Sequence, residues 1–234
     1  MISTHAIVTD IEGTTSAISF VHDVLFPYAE EHLDAYVAAH RDEPDVARAM
    51  REAALEAGEA GADDARILAH LHVWIAQDRK ATPLKTLQGL IWSEGYSRSG
   101  LLGHLYPDVP PVLQAWFDAG IALYVYSSGS IVAQKMLFAH TFAGDLTSLF
   151  AGYFDTTTGP KRAAASYAQI AAGTGFRPAG MLFLSDTEEE LDAARAAGIQ
   201  TARLLRPADT PPGATTSHPG YVDFGALAAD VAAA

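Results

Sequence analysis

The sequence predicts an α/β fold in which a doubly wound parallel sheet carries an inserted segment made only of helices. Short apolar runs stop at acidic or hydroxyl-bearing residues, which is typical of buried strands that end in loops. After residue 111 these runs alternate with helical patterns over short connections, and this alternation indicates parallel strands covered by helices on both faces. A long stretch between the first run and the later ones has apolar residues at helical spacing only.

The first strand is predicted at residues 6–10, an apolar run that ends in an acidic residue and is soon followed by Gly13. From residue 21 to residue 92 the apolar positions recur at helical spacing, with breaks at residues 58–61 and near Pro83. We therefore expect several helices and no strand in this stretch. Because the first strand belongs to the same sheet as the later ones, the helices form an insertion.

Residues 106–111, Tyr-Pro-Asp-Val-Pro-Pro, are predicted to form a stiff connector at a domain boundary. We accordingly assign residues 1–16 and 106–234 to an α/β core domain, and residues 17–105 to an inserted helical domain. The expected elements after the connector are helix 112–119, strand 121–126, helix 134–139, helix 167–172, strand 181–184, helix 190–197, strand 201–205 and a final helix at 226–234.

Composition excludes several classes of function. The formal net charge is −13, which disfavours binding to nucleic acid or to an anionic lipid surface. The chain has no cysteine, so disulfides, thiolate catalysis and cysteine-ligated zinc are excluded. No secretory signal or membrane-spanning run is evident, and we expect a cytoplasmic protein that acts on a small molecule. Since no sequence pattern indicates an association surface, a monomer is the default expectation.

Polar residues cluster where the predicted strands end. The first strand ends at Asp10, in Asp-Ile-Glu-Gly-Thr-Thr; the second ends in Ser127 and Ser128; and the third ends in Ser-Asp at Asp186. Lys161 lies between the second and third of these segments. Ligands of doubly wound sheets bind outside the carboxyl ends of the strands, so we expect these side chains to share one site.

This set of residues fits the transfer of a phosphoryl group. Such a reaction needs a nucleophile, a hard cation and donors for the phosphate oxygens. Asp10 can attack phosphorus, and Asp10 with Asp186 can hold Mg²⁺, which prefers carboxylate and water oxygens. Ser127 or Ser128 can donate to phosphate, and Lys161 can balance the charge of phosphate and nucleophile together.

Each of these residues also has a purely structural interpretation. Ser127 and Ser128 resemble a turn or a helix cap, and Lys161 alone is typical of a solvated surface lysine. Asp186 precedes three glutamates and could belong to an acidic first helical turn. Their joint placement at the strand ends of one sheet favours a catalytic site.

Seven segments of the chain resemble the enolase-phosphatases of methionine salvage, a family within the haloacid dehalogenase (HAD) superfamily. The resemblance spans nearly the whole chain and is weakest between Arg41 and Arg66 and after Arg206. The segments are residues 8–15, 18–21, 24–28, 87–92, 125–130, 153–156 and 182–186.

The resemblance implies a HAD-like, Rossmann-like core with a helical cap. It also implies one Mg²⁺ per subunit, held by the side chains of Asp10 and Asp186 and by the main-chain carbonyl of Glu12. Most phosphatases of the superfamily carry Asp where this chain has Glu12, and enolase-phosphatases carry Glu. Dehalogenases usually have an aromatic residue there and need no metal.

The substrate that the resemblance implies is 2,3-diketo-5-methylthiopentyl 1-phosphate, converted through its enol to an acireductone and phosphate. Asp10, Glu12 and Lys161 are then the expected catalytic residues, and Ser127, Ser128 and Lys161 the expected phosphate-binding ones. We favour Glu12 for the proton transfers, with Asp10 or Lys161 left open as the base. Alternatives are a phosphatase of the same fold for another small ester, such as a sugar phosphate, and a catalytically silent binding module. Mn²⁺ could replace Mg²⁺.

Overall fold

The computed structural model describes residues 2–98, 100–211 and 213–234. The chain forms two compact units, one of Met1–Ile18 with Leu102–Ala234 and the other of Ser19–Leu101. The predicted insertion, residues 17–105, differs from the second unit by a few residues at each end. Among the described residues, no helix combines the length and the apolar character that crossing a membrane requires.

The first unit contains all the described strands, and the second contains only helices. The strands are β1 (Ile2–Thr4), β2 (Ala6–Thr9), β3 (Ala122–Tyr126), β4 (Phe150–Phe154), β5 (Met181–Ser185), β6 (Gln200–Leu204), β7 (Gly220–Tyr221) and β8 (Val231–Ala233). The α-helices are α1 (Ile18–Phe20), α2 (Phe26–His40), α3 (Pro44–Glu56), α4 (Asp64–Ala76), α5 (Thr82–Arg98), α6 (Val109–Asp118), α7 (Ile131–Ala139), α8 (Ala164–Thr174), α9 (Glu188–Ala196) and α10 (Phe224–Ala228). A π-helical turn, Val21–Leu25, joins α1 to α2, and two 3₁₀ turns lie at Thr147–Leu149 and Pro178–Gly180.

The main sheet confirms the predicted α/β class. Its six strands lie in the order β4-β3-β2-β5-β6-β7, and every neighbouring pair is parallel. Strand β2 is central, with Thr9 in register with Val125 of β3 and with Leu184 of β5. The residues that follow these three positions therefore emerge at one edge, where the candidate site residues lie.

Both faces of this sheet are buried, which explains its nearly continuous apolar strands. Val8 and Phe183 belong to one cluster together with Tyr167 of α8 and Leu191 of α9. Side chains alternate along a strand, so Ile7, only 1% exposed, is buried on the opposite face. This packing fixes the strand ends against each other and so makes the site edge rigid.

The second unit has its own hydrophobic core, built by α2 to α5. Leu33, Leu71, Trp74 and Leu87 are among its buried side chains. Helix α4 begins at Asp63, whose carboxylate accepts a hydrogen bond from the Arg66 amide over 2.9 Å and so caps the helix. The sequence-based expectation of helices without strands is confirmed for the described part of this unit.

The predicted helix at residues 226–234 is wrong. Helix α10 ends at Ala228, and the chain continues as β8, which pairs in parallel with β1 in a separate two-stranded sheet. The Ile2 amide donates to the Asp230 carbonyl over 2.6 Å, and the Ala234 amide to the Thr4 carbonyl over 3.1 Å. These backbone bonds between the two ends of the chain outweigh the helix propensity of an alanine-rich tail.

Sequence analysis also missed β1, β4 and β7, and it placed a connector where a helix begins. Helix α6 starts at Val109, so the last part of the predicted connector is helical. Its two prolines occupy the first turn, where the missing N–H groups have no intrahelical partner to lose. In β4 the interruption is Gly152, where a Cβ would lie 3.2 Å from the Tyr124 ring. Glycine suits this position of the strand because it lets the backbone approach the Tyr124 ring closely.

Candidate active site

Asp10 lies directly after β2 and is 4% exposed. Its amide donates to the Leu184 carbonyl over 2.9 Å, which extends the sheet by one bond and fixes the main chain. Its Oδ1 atom accepts from the Ile11 amide over 2.7 Å. The Thr15 hydroxyl donates to the Asp10 carbonyl over 3.2 Å. The carboxylate is therefore held in one orientation at the sheet edge.

The loop after Asp10 is a tight turn that brings its backbone against Asp186. The amides of Thr14, Thr15 and Ser16 all donate to the Ile11 carbonyl. Gly13 has φ +70°, and a Cβ there would lie 2.5 Å from Asp186 Oδ2. Only glycine permits both this backbone conformation and this approach.

Lys161 forms the central ion pairs of the site. Its Nζ atom lies 2.7 Å from Asp10 Oδ1 and 2.7 Å from Glu190 Oε2, and its side chain is 10% exposed. Burial alone would lower the pKa of Lys161, but the two carboxylates raise it to about 12. The ammonium group is therefore charged at neutral pH and contacts the proposed nucleophile directly.

Ser185 and Glu190 complete this network, and sequence analysis did not select either. The Ser185 hydroxyl donates to Glu190 Oε2 over 3.0 Å and lies 3.5 Å from Asp10 Oδ2. Burial and the charge of Asp10 raise the pKa of Glu190. Glu190 lies in the first turn of α9, where it is the third of three consecutive glutamates. The sequence alone does not distinguish it from the other two.

Asp186 provides a second, partly buried carboxylate at the same edge. Burial and the negative charge of Asp10 raise its pKa to about 6. The Thr187 hydroxyl donates to Asp186 Oδ1 over 3.0 Å, and Arg203 Nε donates to the Asp186 carbonyl over 2.8 Å. Asp10 and Asp186 thus repel each other, and a cation between them would stabilise both.

The donor set fits a hard divalent cation. Asp10 and Asp186 supply carboxylates, and the close packing of Gly13 on Asp186 brings the loop main chain, with its carbonyl oxygens, alongside. Within the described ranges, no group of three acidic or histidine side chains is arranged to hold a metal. A site made of two carboxylates and a main-chain oxygen needs no third acidic ligand. The remaining positions of such a site suit water and phosphate oxygens.

Ser127 and Ser128 follow β3 at the neighbouring strand end. Ser127 is buried, its amide donates to the Phe154 carbonyl over 3.2 Å, and its Oγ accepts from the Gly129 amide over 3.2 Å. Ser128 is exposed. The turn that sequence analysis considered is present, and it shares the sheet edge with Asp10.

Glu12 differs from its neighbours in exposure. Its side chain is exposed, whereas Asp10 and Gly13 on either side are buried. The Glu12 side chain therefore lies at the solvent-facing side of the loop, whereas the Asp10 side chain is enclosed.

Asp155 is a further residue that sequence analysis did not select. Its Oδ1 accepts from the amide and the hydroxyl of Thr157 over 2.9 and 2.6 Å, and its Oδ2 accepts from the Ile131 amide over 3.3 Å. These bonds hold the loop after β4 against the first turn of α7. An Asp followed two residues later by Thr is a recognisable turn signal.

Comparisons with known proteins identify the family of the chain. The model of the haloacid dehalogenase-like hydrolase family matches residues 4–198. The enolase-phosphatase E1 of Azotobacter vinelandii is 55% identical over 222 residues, covering 95% of this chain and 96% of the relative. That of Pseudomonas aeruginosa PAO1 is 58% identical over 201 residues, covering 86% and 81%.

Solved structures show the same architecture. The crystal structure of the Unknown transcript 4 protein of Saccharomyces cerevisiae has a TM-score of 0.79 at 32% identity, covering 94% of this chain and 98% of that protein. The L-2-haloacid dehalogenase of Xanthobacter autotrophicus has a TM-score of 0.55 at 18% identity, covering 97% of both chains. The dehalogenase likeness concerns the fold alone.

Proposed function

Because the chain belongs to the enolase-phosphatase family of haloacid dehalogenase-like hydrolases, we propose that it converts 2,3-diketo-5-methylthiopentyl 1-phosphate to an acireductone and phosphate in methionine salvage. The 55% identity to an enolase-phosphatase over nearly the whole chain supports this substrate. The observation that supports the chemistry is the buried Asp10 carboxylate 2.7 Å from the Lys161 ammonium.

Hydrolases of this family generally depend on a metal ion, and we propose one Mg²⁺ per chain. Asp10 and Asp186 would hold it with their carboxylates, and Glu12 with its main-chain carbonyl. When bound, the ion would neutralise phosphate oxygens and allow an anionic substrate to approach. Without a cation the site has three carboxylates, Asp10, Asp186 and Glu190, for a single lysine, and that balance repels phosphate.

The phosphoryl step begins with Asp10. One of its carboxylate oxygens attacks phosphorus, and the bond from phosphorus to the C1 oxygen of the substrate breaks. The leaving oxygen takes a proton, and the phosphoryl group remains on Asp10. Water then attacks phosphorus, which regenerates the carboxylate and releases inorganic phosphate. Lys161, with Ser127 and Ser128, would stabilise the charge that develops on the phosphate oxygens.

Enolisation comes before this step and requires a base. The C1 proton is acidified by the neighbouring carbonyl, and its removal leaves an enolate whose oxygen accepts a proton or a loop hydrogen bond. We propose that Glu12 transfers these protons, because its side chain is exposed in the loop that follows Asp10.

A Glu12→Gln variant tests this role. We expect enol formation to slow by a factor of about 10² to 10⁴, the usual contribution of a positioned acid–base group. Enol is followed by absorbance, and Glu189→Gln, an exposed neighbour in α9, serves as the matched control. Unchanged enolisation in Glu12→Gln would assign the base to Asp10 or Lys161 instead.

The substrate is tested by comparing turnover of the diketo phosphate with that of sugar phosphates, each with Mg²⁺ and with Mn²⁺. We expect the diketo compound to be preferred and to yield both enol and phosphate. Preference for a sugar phosphate would contradict the assignment to methionine salvage, but it would not contradict the fold or the proposed metal site. Absence of any metal-dependent phosphatase activity would support the silent binding module.

The helical unit, residues 19–101, is proposed to act as a cap during turnover. A cap that excludes water would strengthen the electrostatic interactions at Asp10 and protect the reactive enol from side reactions. A monomeric state and a cytoplasmic location also stay predictions. Gel filtration with light scattering tests the first, and fractionation of cells tests the second.

A further inference from the structure

The main chain that carries Lys161 is held by buried hydroxyl groups. Lys161 lies in an irregular segment between β4 and α8, where no regular ladder pairs the carbonyls of residues 159–161. The Tyr126 hydroxyl donates to the Gly159 carbonyl over 2.9 Å, and the Tyr167 hydroxyl donates to the Lys161 carbonyl over 2.8 Å. The Pro160 carbonyl between them accepts from the Ser166 hydroxyl over 2.8 Å.

We propose that Tyr126 and Tyr167 are positioning residues that place the Lys161 ammonium between Asp10 and Glu190. This inference rests on the proposed phosphatase function. It assigns to two tyrosines a part in phosphoryl transfer, although neither contacts the nucleophile or the phosphate. Tyr167 acts on the reaction through the main chain of Lys161, and Tyr126 acts through that main chain and through its ring beside the ammonium.

Both tyrosines are rigid and fully buried. Tyr126 is 0% exposed and Tyr167 is 1% exposed. Their rings meet edge to face with centroids 5.6 Å apart, and the Tyr167 ring also packs on Phe183 at 4.9 Å. Burial raises the pKa of each hydroxyl, so both keep the proton that they donate. Each hydroxyl therefore stays protonated and is held in place as a hydrogen-bond donor by the packing of its ring.

The segment needs external donors because its own sequence prevents regular pairing. Gly159 has φ +139°, and a Cβ there would lie 2.3 Å from the Ser166 hydroxyl oxygen. Pro160 has no N–H to offer. The tyrosine hydroxyls bind the carbonyls on either side of this proline and so define the path of the chain into Lys161.

This placement matters because the lysine side chain is flexible. Four methylene groups separate the main chain from Nζ, and the ammonium must reach two carboxylates at 2.7 Å. Tyr126 also lies beside the ammonium, with its ring centroid 5.9 Å from Nζ. A shift of the main chain would change the distance from the ammonium to both carboxylates.

The test replaces each tyrosine by phenylalanine, which removes only the hydroxyl. We expect kcat to fall by roughly 10-fold or more in Tyr126→Phe and in Tyr167→Phe, since misplacement by about 1 Å costs up to about 100-fold. KM should change by less than about threefold, because the charge on Lys161 is retained and its misplacement affects mainly the transition state. The matched control is Tyr153→Phe, since the buried Tyr153 hydroxyl has no hydrogen-bond partner among the described residues.

Thermal unfolding of every variant separates positioning from folding. If kcat in both tyrosine variants equals that of Tyr153→Phe, or if activity falls only with the folded fraction, the inference is overturned. Should one variant fail to fold, the other still decides, because each tyrosine binds a different carbonyl.

Two substrates keep this inference distinct from the pathway assignment. The variants are assayed on the diketo phosphate and on p-nitrophenyl phosphate, both with Mg²⁺. A wild-type protein that hydrolyses only p-nitrophenyl phosphate would remove the pathway assignment, and the kcat ratios on that ester would still decide the role of the tyrosines. A chain inactive on both esters would overturn the two together.

Discussion

Gly13→Ala is the substitution whose effect on the metal site follows most directly from the structure. A Cβ at residue 13 would lie 2.5 Å from Asp186 Oδ2 and 2.6 Å from Asp186 Cγ, closer than the 3.0 Å below which real Cβ contacts essentially do not occur. To reach the ordinary contact distance of 3.4 to 4 Å, the carboxylate or the loop must move by about 1 to 1.5 Å. That movement separates Asp186 from the loop backbone.

The effect has two parts that can be estimated separately. Alanine at φ +70° costs roughly 1 to 2 kcal/mol of stability, because the left-handed conformation crowds its Cβ. Displacing Asp186 should weaken Mg²⁺ binding by about 10- to 100-fold, as changes that misorient a metal ligand usually do. The turnover rate should fall by up to about 100-fold, since a displacement of about 1 Å is costly in an active site.

Comparison with Gly120→Ala separates the effect on the metal site from the effect on stability. Gly120 has φ +81°, and no atom in the described part of the chain lies within 4 Å of the added Cβ, so its substitution reproduces the backbone strain without the contact. Mg²⁺ affinity is measured by titration calorimetry, and turnover by phosphate release. We expect Gly120→Ala to lose stability only. If Gly13→Ala binds Mg²⁺ and turns over as Gly120→Ala does, Asp186 is not the metal ligand that the account requires.

Three further predictions follow from charged groups that are buried or partly buried. The pKa of Asp186, raised to about 6, predicts that Mg²⁺ affinity rises with pH through about 6 and falls by up to about tenfold per unit below it, because the metal displaces the proton. In the metal-free protein the free energy of unfolding should decrease from about pH 4 to about pH 6, because the folded state binds more protons there, and Asp186→Asn should reduce this dependence to the part that the raised pKa of Glu190 contributes. Calorimetry and urea unfolding across pH check both, and a flat affinity profile would contradict the shift. Arg206, 2% exposed, donates to the Thr14 carbonyl over 2.9 Å and to Asp108 over 2.8 Å. Arg206→Met should therefore cost about 3 kcal/mol in urea unfolding, whereas the exposed control Arg195→Met should cost less than about 1 kcal/mol. Equal losses would mean that Arg206 is not a structural centre of the nucleophile loop.

The parallel sheet could be predicted from the sequence because a local pattern of residues marks each of its central strands. Each central strand is a short apolar run that stops at a polar residue, and the stops mark the site edge. Strand β1 and strand β8 could not be predicted in this way, since each depends on a partner at the other end of the chain. Local propensity favoured a helix for the alanine-rich tail, and a non-local pairing decided otherwise.

In the candidate site, too, some residues could be predicted from local sequence and others could not. Asp10 and Asp186 follow strands and could be selected by position. Glu190 could not be told from its neighbours, because residues 188–190 are three glutamates in a row. The phase of α9 distinguishes them: Glu188 pairs with Arg203, Glu189 is exposed, and Glu190 turns toward the lysine of the site. The direction of each side chain depends on how the helix packs in the fold, which the run of three glutamates does not reveal.

The most direct test of the account is to trap the phosphoryl group on Asp10. Wild-type protein and Asp10→Asn are mixed with Mg²⁺ and the diketo phosphate for a single turnover, quenched with borohydride to reduce any aspartyl phosphate, and mapped by mass spectrometry. The account predicts reduction of Asp10 in the wild type, together with phosphate release, and neither in the variant. Phosphate release by the wild type with Asp10 unmodified, or with the modification at another residue, would contradict it.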